Sequence, residues 1–140
     1  MKNFLYSSKY IFMFVLISVV TAYTQTPNYK WSVKGGGTGK DYGNALTVDA
    51  NGNIFVTGEF TATADFGNGV SLVSAGNVDY FMVKYDSNHV AQWGKKGGGT
   101  LTDRGYGVAL DAFGNILVTG HFFGVATFDT ASLTSGGNLD

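Results

Sequence analysis

Few side chains in this 140-residue chain could do chemistry, and their spacing limits what that chemistry is. Lys34-Gly-Gly-Gly-Thr-Gly-Lys40 has the glycine density of a phosphate-cradling loop. Yet Lys34 stands where such a loop needs its first glycine, and Asp41 stands where a Ser or Thr would hold magnesium. No nucleotide site is expected there. Asp49-x-Asn51-x-Asn53 opens like a calcium loop, but its sixth position is Ile54 instead of Gly and its twelfth is Phe60 instead of Glu. Turn amides are the better partners for Asp49 and for its counterpart Asp111. His89 and His121 are the only histidines, and no Ser-His-Asp arrangement can be assembled around either by spacing. The absence of cysteine excludes disulfides, thiolate metal ligands and a thiol nucleophile. The expectation is therefore no catalytic, no cofactor-binding and no metal-ligating residue, and no cofactor.

Two carboxylate positions recur along the chain, Asp41 with Asp103 and Asp79 with Asp140. Backbone capping in loops between strands is their expected role; the sharper alternative is a ring of carboxylates that binds a cation or sugar hydroxyls. Trp31 and Trp93 recur likewise and are expected to end a strand and pack between layers.

These recurrences follow from the elements that must carry the residues. Shifted by 62 positions, Trp31–Phe66 matches Trp93–Phe128 at 19 of 36 positions. Gly76-Asn77-x-Asp79 then matches Gly137-Asn138-x-Asp140 at a shift of 61. A tandem repeat of about 62 residues is the organising feature. The expected boundaries are 1–22 for a signal peptide, 23–30 for a linker, 31–93 for repeat 1 and 94–140 for an incomplete repeat 2. Within a repeat the local signals are strands: Leu46–Val48, Asn53–Phe60, Asp79–Asp86 and His89–Trp93. An Asp-Ala-x-Gly-Asn hairpin joins the first two, and a Gly/Ser/Asn-rich excursion, Thr61–Val78, separates the second from the third. Apolar residues on both faces of Asn53–Phe60 predict a sheet packed between two neighbours. The fold class expected is all-β, with four-stranded antiparallel β-propeller blades in tandem, about one and a half of them.

The order Trp, Gly-Gly, Asp, then Asp-x-x-Gly-Asn-Ile-x-Val-Thr-Gly-x-Phe, then Asp-x-Phe-x-Val-Lys-Tyr-Asp and Trp resembles the SBBP β-propeller repeat family from Trp31 to Asp140. The second repeat departs where Asp65-Phe66-Gly67 becomes Thr127-Phe128-Asp129, so Asp65 is not a repeated ligand. The resemblance implies a propeller fold and a secreted protein, and it implies no reaction. It also implies the remaining propeller blades of a longer chain as partners, because four to eight blades close a ring. A short chain that oligomerises into a ring, as two-blade lectins do, is the rival, and a propeller enzyme with catalytic residues beyond residue 140 is another.

Lys2, Lys9, the apolar run Ile11–Val20 and small residues to Ala22 read as a secretory signal. That run is too short to leave a stable membrane span. A near-neutral charge of -1 and a single Arg argue against nucleic acid as a partner. The expected function is a non-enzymatic binding or adhesion scaffold, secreted or at the cell surface, with a protein or glycan ligand. Where the repeats differ within their fixed frame, at Tyr42/Arg104, Asn44/Tyr106, Asn51/Phe113, Glu59/His121 and Thr61/Phe123, a binding surface is the expected reason.

Overall fold

The computed structural model describes residues 30–137 and 140. The signal-peptide reading of 1–22 and all but the last residue of the linker lie outside the described residues. Residues from Ser32 onward form one compact unit, to which everything below refers. Its regular elements are all strands. They are β1 (Gly36–Gly37), β2 (Asp41–Val48), β3 (Ile54–Phe60), β4 (Thr63–Asp65), β5 (Ser71–Val73) and β6 (Asp79–Tyr85). After these come β7 (Ala91–Gly98), β8 (Arg104–Leu110), β9 (Ile116–His121), β10 (Val125–Phe128) and β11 (Ala131–Thr134).

In the six-stranded sheet, ordered β11-β10-β7-β6-β3-β2, the expected four-stranded antiparallel blade is the run β2-β3-β6-β7. Two of its strands are longer than their residue types suggest. β2 begins at Asp41, not Leu46, because a bulge between Gly43 and Ala45 carries the Gly-Asn stretch inside the ladder. β7 does not end at Trp93 but continues to Gly98, and its last two residues pair with β10. Trp93 therefore sits inside the strand, its ring 6.2 Å from that of Phe55.

The 62-residue period is a period of geometry as well. β8 and β9 reproduce the β2–β3 pairing, including the bulge, now between Gly105 and Gly107. Gly36 pairs with Asp65 in the first repeat and Gly98 with Thr127 in the second. Asp140 exchanges backbone hydrogen bonds with Phe122 (2.7 and 3.1 Å), as Asp79 pairs with Phe60.

The Asp-Ala-x-Gly-Asn hairpin also works identically in both repeats. Asp49 Oδ1 accepts from the Asn51 and Asn53 amides at 2.9 and 2.8 Å. Asp111 Oδ1 accepts from Phe113 and Asn115, both at 2.8 Å. Gly52 and Gly114 take φ of +80° and +83°, which a side chain resists. A third turn of the same design follows β6, where Asp86 Oδ1 accepts from Asn88 and Val90 and His89 takes φ +66° in the glycine's place. Gly114 has open space around it, so Gly114→Ala isolates the backbone term. Chemical denaturation should show a loss of about 1–2 kcal/mol.

Both faces of β3 and β6 are buried, as the apolar pattern of β3 requires. Ile54 and Phe60 share one face with Phe81, Val83 and Tyr85, across the ladder from them. The β4–β5 hairpin covers that face with Ala64, Phe66 and Leu72, and the Phe66 ring stacks 4.9 Å from Phe81. The excursion Thr61–Val78 is thus a lid over the core. Burying a side chain such as Phe60, fully inaccessible here, contributes about 1.5–3 kcal/mol. The opposite face carries Thr57 and Tyr80 and receives β8 of the second repeat: a Cβ on Gly105 would meet Thr57 Oγ1 at 2.4 Å and Tyr80 Cδ2 at 2.6 Å. Only a glycine lets the two repeats approach this closely.

Candidate functional site

The four recurring carboxylates cap backbone amides. Each accepts from the amide four residues upstream: Gly37 to Asp41 (2.8 Å), Ala75 to Asp79 (2.6 Å), Gly99 to Asp103 (2.8 Å), and Gly136 to Asp140. Asp103 also accepts from Phe123 at 3.1 Å. The glycine run that suggested a phosphate loop is therefore committed, with β1 paired to β4 and the Gly37 amide turned to Asp41.

The fold brings two of these carboxylates together at the junction of the repeats. Asp79, inaccessible to solvent, and Asp103, 1% exposed, approach Gly98 from two sides. A Cβ on Gly98 would lie 2.7 Å from Asp79 Oδ1 and 2.8 Å from Asp103 Oδ2. Asp79 Oδ1 is buried without a hydrogen-bond partner. Burial pushes the Asp79 carboxyl above its ordinary range and Asp103 adds to this, against the Ala75 amide and Lys96. The pair is out of reach of a sugar. Among the described residues, no three His, Asp or Glu side chains are grouped to hold a metal ion.

Asp49 and Asp111 differ from that pair. Their carboxyls are held below the ordinary range, first by the Asn53 and Asn115 side-chain amides respectively. They are half-buried turn residues, bonding turn amides as their spacing implied.

The positions that vary between repeats do not all gather. Asn51 and Phe113 lie at the hairpin end of the strands, where Phe113 is 91% exposed. Asn44 ties the repeats together by donating to the Gly105 carbonyl at 2.8 Å. Tyr106 packs edge-on to His121, which in turn contacts Phe123, with ring centroids 5.1 and 5.6 Å apart. Four others meet at the opposite end of the strands: Tyr42, Glu59, Thr61 and Arg104 line one cleft of about 790 Å³ together with Lys40 and Thr102.

Local hydrogen bonds shape this cleft. On one wall the Lys40 amide donates to Thr61 Oγ1 at 2.7 Å, and the Thr61 amide donates to the Lys40 carbonyl at 3.0 Å. On the other, Val78 and Thr102 form a parallel bridge, and Asn77 Nδ2 donates to Thr102 Oγ1 at 3.3 Å. Glu59 and Arg104, the chain's only glutamate and only arginine, join across the repeats with Oε2 and Nε 2.7 Å apart. Their side chains are 13% and 37% exposed, so the pair is only partly screened by water. With those charges balanced, Lys40 is the remaining charged side chain of the lining. The type of each residue was legible, but the Glu59–Arg104 contact was not, because it joins different repeats and strand ends.

Residues 30–59 match the family model SBBP, a beta-propeller repeat. That span contains the glycine run, the Asp49 hairpin and most of β3. An uncharacterized WD repeat-containing protein of Acanthamoeba polyphaga mimivirus is 30% identical over 109 aligned residues, covering 66% of this chain and 8% of the relative. The chain therefore spans less than a tenth of that relative's length. No solved structure matches it.

Proposed function

Starting from a chain built on the SBBP β-propeller repeat, we propose that it is a secreted, non-enzymatic scaffold that binds a protein or glycan at or beyond the cell surface. One observation carries this reading. The residues that agree between repeats build turns, ladders and close approaches, whereas Tyr42, Glu59, Thr61 and Arg104, which differ, line a single cleft. A frame held fixed with a varied rim suits recognition. The charged side chains at the cleft also favour binding over acid–base chemistry, since Glu59 is engaged with Arg104. The basic and apolar character of residues 1–22 supports secretion.

The test is to probe the chain on glycan and protein arrays beside two variants. Tyr42→Ala should lose captured ligand, and Phe113→Ala, at the other end of the strands, should keep it. The opposite pattern would place the binding surface at the hairpin end and overturn the reading.

A further inference from the structure

The composition of the cleft narrows the ligand, given the binding role proposed above. We propose that it takes an acidic oligosaccharide, with the Tyr42 ring as a stacking face and the Lys40 ammonium as partner for a sugar carboxylate.

Tyr42 is 54% exposed at the start of β2. Its phenol ring offers the cleft a flat apolar surface with a polar tip, which matches the C–H face and hydroxyl rim of a pyranose. Thr102 accepts from Asn77 through Oγ1, which leaves its O–H directed to other acceptors, such as a sugar hydroxyl. Thr61 is engaged in both directions with Lys40, accepting from its amide at 2.7 Å and donating to its carbonyl at 3.3 Å, so it shapes the wall.

Charge decides between neutral and acidic sugars. Arg104 is balanced by Glu59 at 2.7 Å. Lys40 is exposed, and its ammonium has no hydrogen-bond or ion-pair partner among the described residues. The lining of this cleft therefore carries one uncompensated positive charge, that of Lys40. An anionic group is attracted to that unpaired charge. The exposed setting keeps the ionic term modest, so stacking supplies more of the affinity.

Titration calorimetry of the full chain with tetragalacturonate, cellotetraose and an acidic tetrapeptide tests this. Tetragalacturonate should bind tightest and weaken with added salt. Tyr42→Ala should weaken it about tenfold and Tyr42→Phe much less. Lys40→Gln should weaken it about fivefold and flatten the salt dependence. Equal binding of cellotetraose, unaffected by Lys40→Gln, would overturn the acidic class while leaving the cleft in place. Preference for the tetrapeptide, or no binding of tetragalacturonate, would overturn the oligosaccharide. Tetragalacturonate binding that survives Tyr42→Ala and is lost in Phe113→Ala would remove the cleft itself, and with it the function proposed above.

Discussion

A Gly58→Ala variant is expected to lose about 3 kcal/mol of folding stability or more, a large part of what a domain of this size has. The cause is a close approach of two backbones. A Cβ at Gly58 would stand 1.8 Å from the Tyr42 carbonyl oxygen and 2.8 Å from the Phe81 ring. The carbonyl belongs to the neighbouring strand, so relief requires β2 and β3 to separate. Gly120 meets the same limit in the second repeat, with its Cβ position 2.0 Å from the Arg104 carbonyl. This is the physical content of the recurring Val-Thr-Gly. Gly43, directly across the ladder from Gly58, is the control, because a Cβ there would touch only Val56 Cγ1 at 3.8 Å. Gly43→Ala should cost well under about 1 kcal/mol. Chemical denaturation of both variants checks the pair, and similar losses would mean that the β2–β3 register is wrong.

The second large effect is a pH dependence centred on Asp79. With its carboxyl raised above 3.8 in the folded chain, the folded state holds a proton at pH values where the unfolded state has released it. Its contribution is therefore fully present below 3.8 and lost as pH rises through the raised folded value. Asp49 and Asp111, shifted the other way, stabilise above 3.8 and lose that contribution as pH falls further. The two influences occupy opposite sides of 3.8. Asp79→Asn keeps an acceptor for the Ala75 amide and presents an amide group in place of a second buried charge beside Asp103. It should match or exceed the parent at pH 7 and flatten the decline above pH 4. Asp79→Ala leaves the Ala75 amide without that acceptor and should cost about 1–3 kcal/mol near pH 4, a deficit that narrows as pH rises and the parent loses the carboxyl's contribution. Denaturation midpoints from pH 4 to 8 read all three proteins. A parent that gains stability across that range, with Asp79→Asn following it, would contradict this account of the junction.

Much of the architecture could be read before any coordinates. The shift of 62 residues exposed the repeat because the turn at Asp49 and the close approach at Gly58 tolerate few alternatives, and both recur. Alternation along Asn53–Phe60 gave the strand and its two buried faces, since period-2 burial on both sides needs cover on both sides. Other features had weaker signals. β4 and β5 are three residues each, too short for a period to show, so their role as a lid over Phe60 and Phe81 was hidden in a Gly/Ser/Asn-rich stretch. A turn between Asp86 and His89 was legible, but its likeness to the Asp49 hairpin was not, because His89 occupies a conformation usually given to glycine. β7 runs past Trp93 through residues with little strand preference because β6 and β10 flank it. At the candidate site, the difference between repeats flagged Tyr42, Glu59, Thr61 and Arg104 one by one. Their convergence, and the meeting of Asp79 with Asp103, depend on contacts between repeats that no local pattern records.

The most direct test of the central claim, that residues varying on a fixed frame line a ligand cleft, is to map binding residue by residue. Amide chemical shifts of the chain, followed by two-dimensional NMR during titration with tetragalacturonate, provide that map. The account predicts saturable shifts at Lys40, Tyr42, Thr61, Thr102 and Arg104, with the hairpin tips at Asn51 and Phe113 unmoved. Shifts confined to those tips, or spread evenly along the sheet, would contradict it.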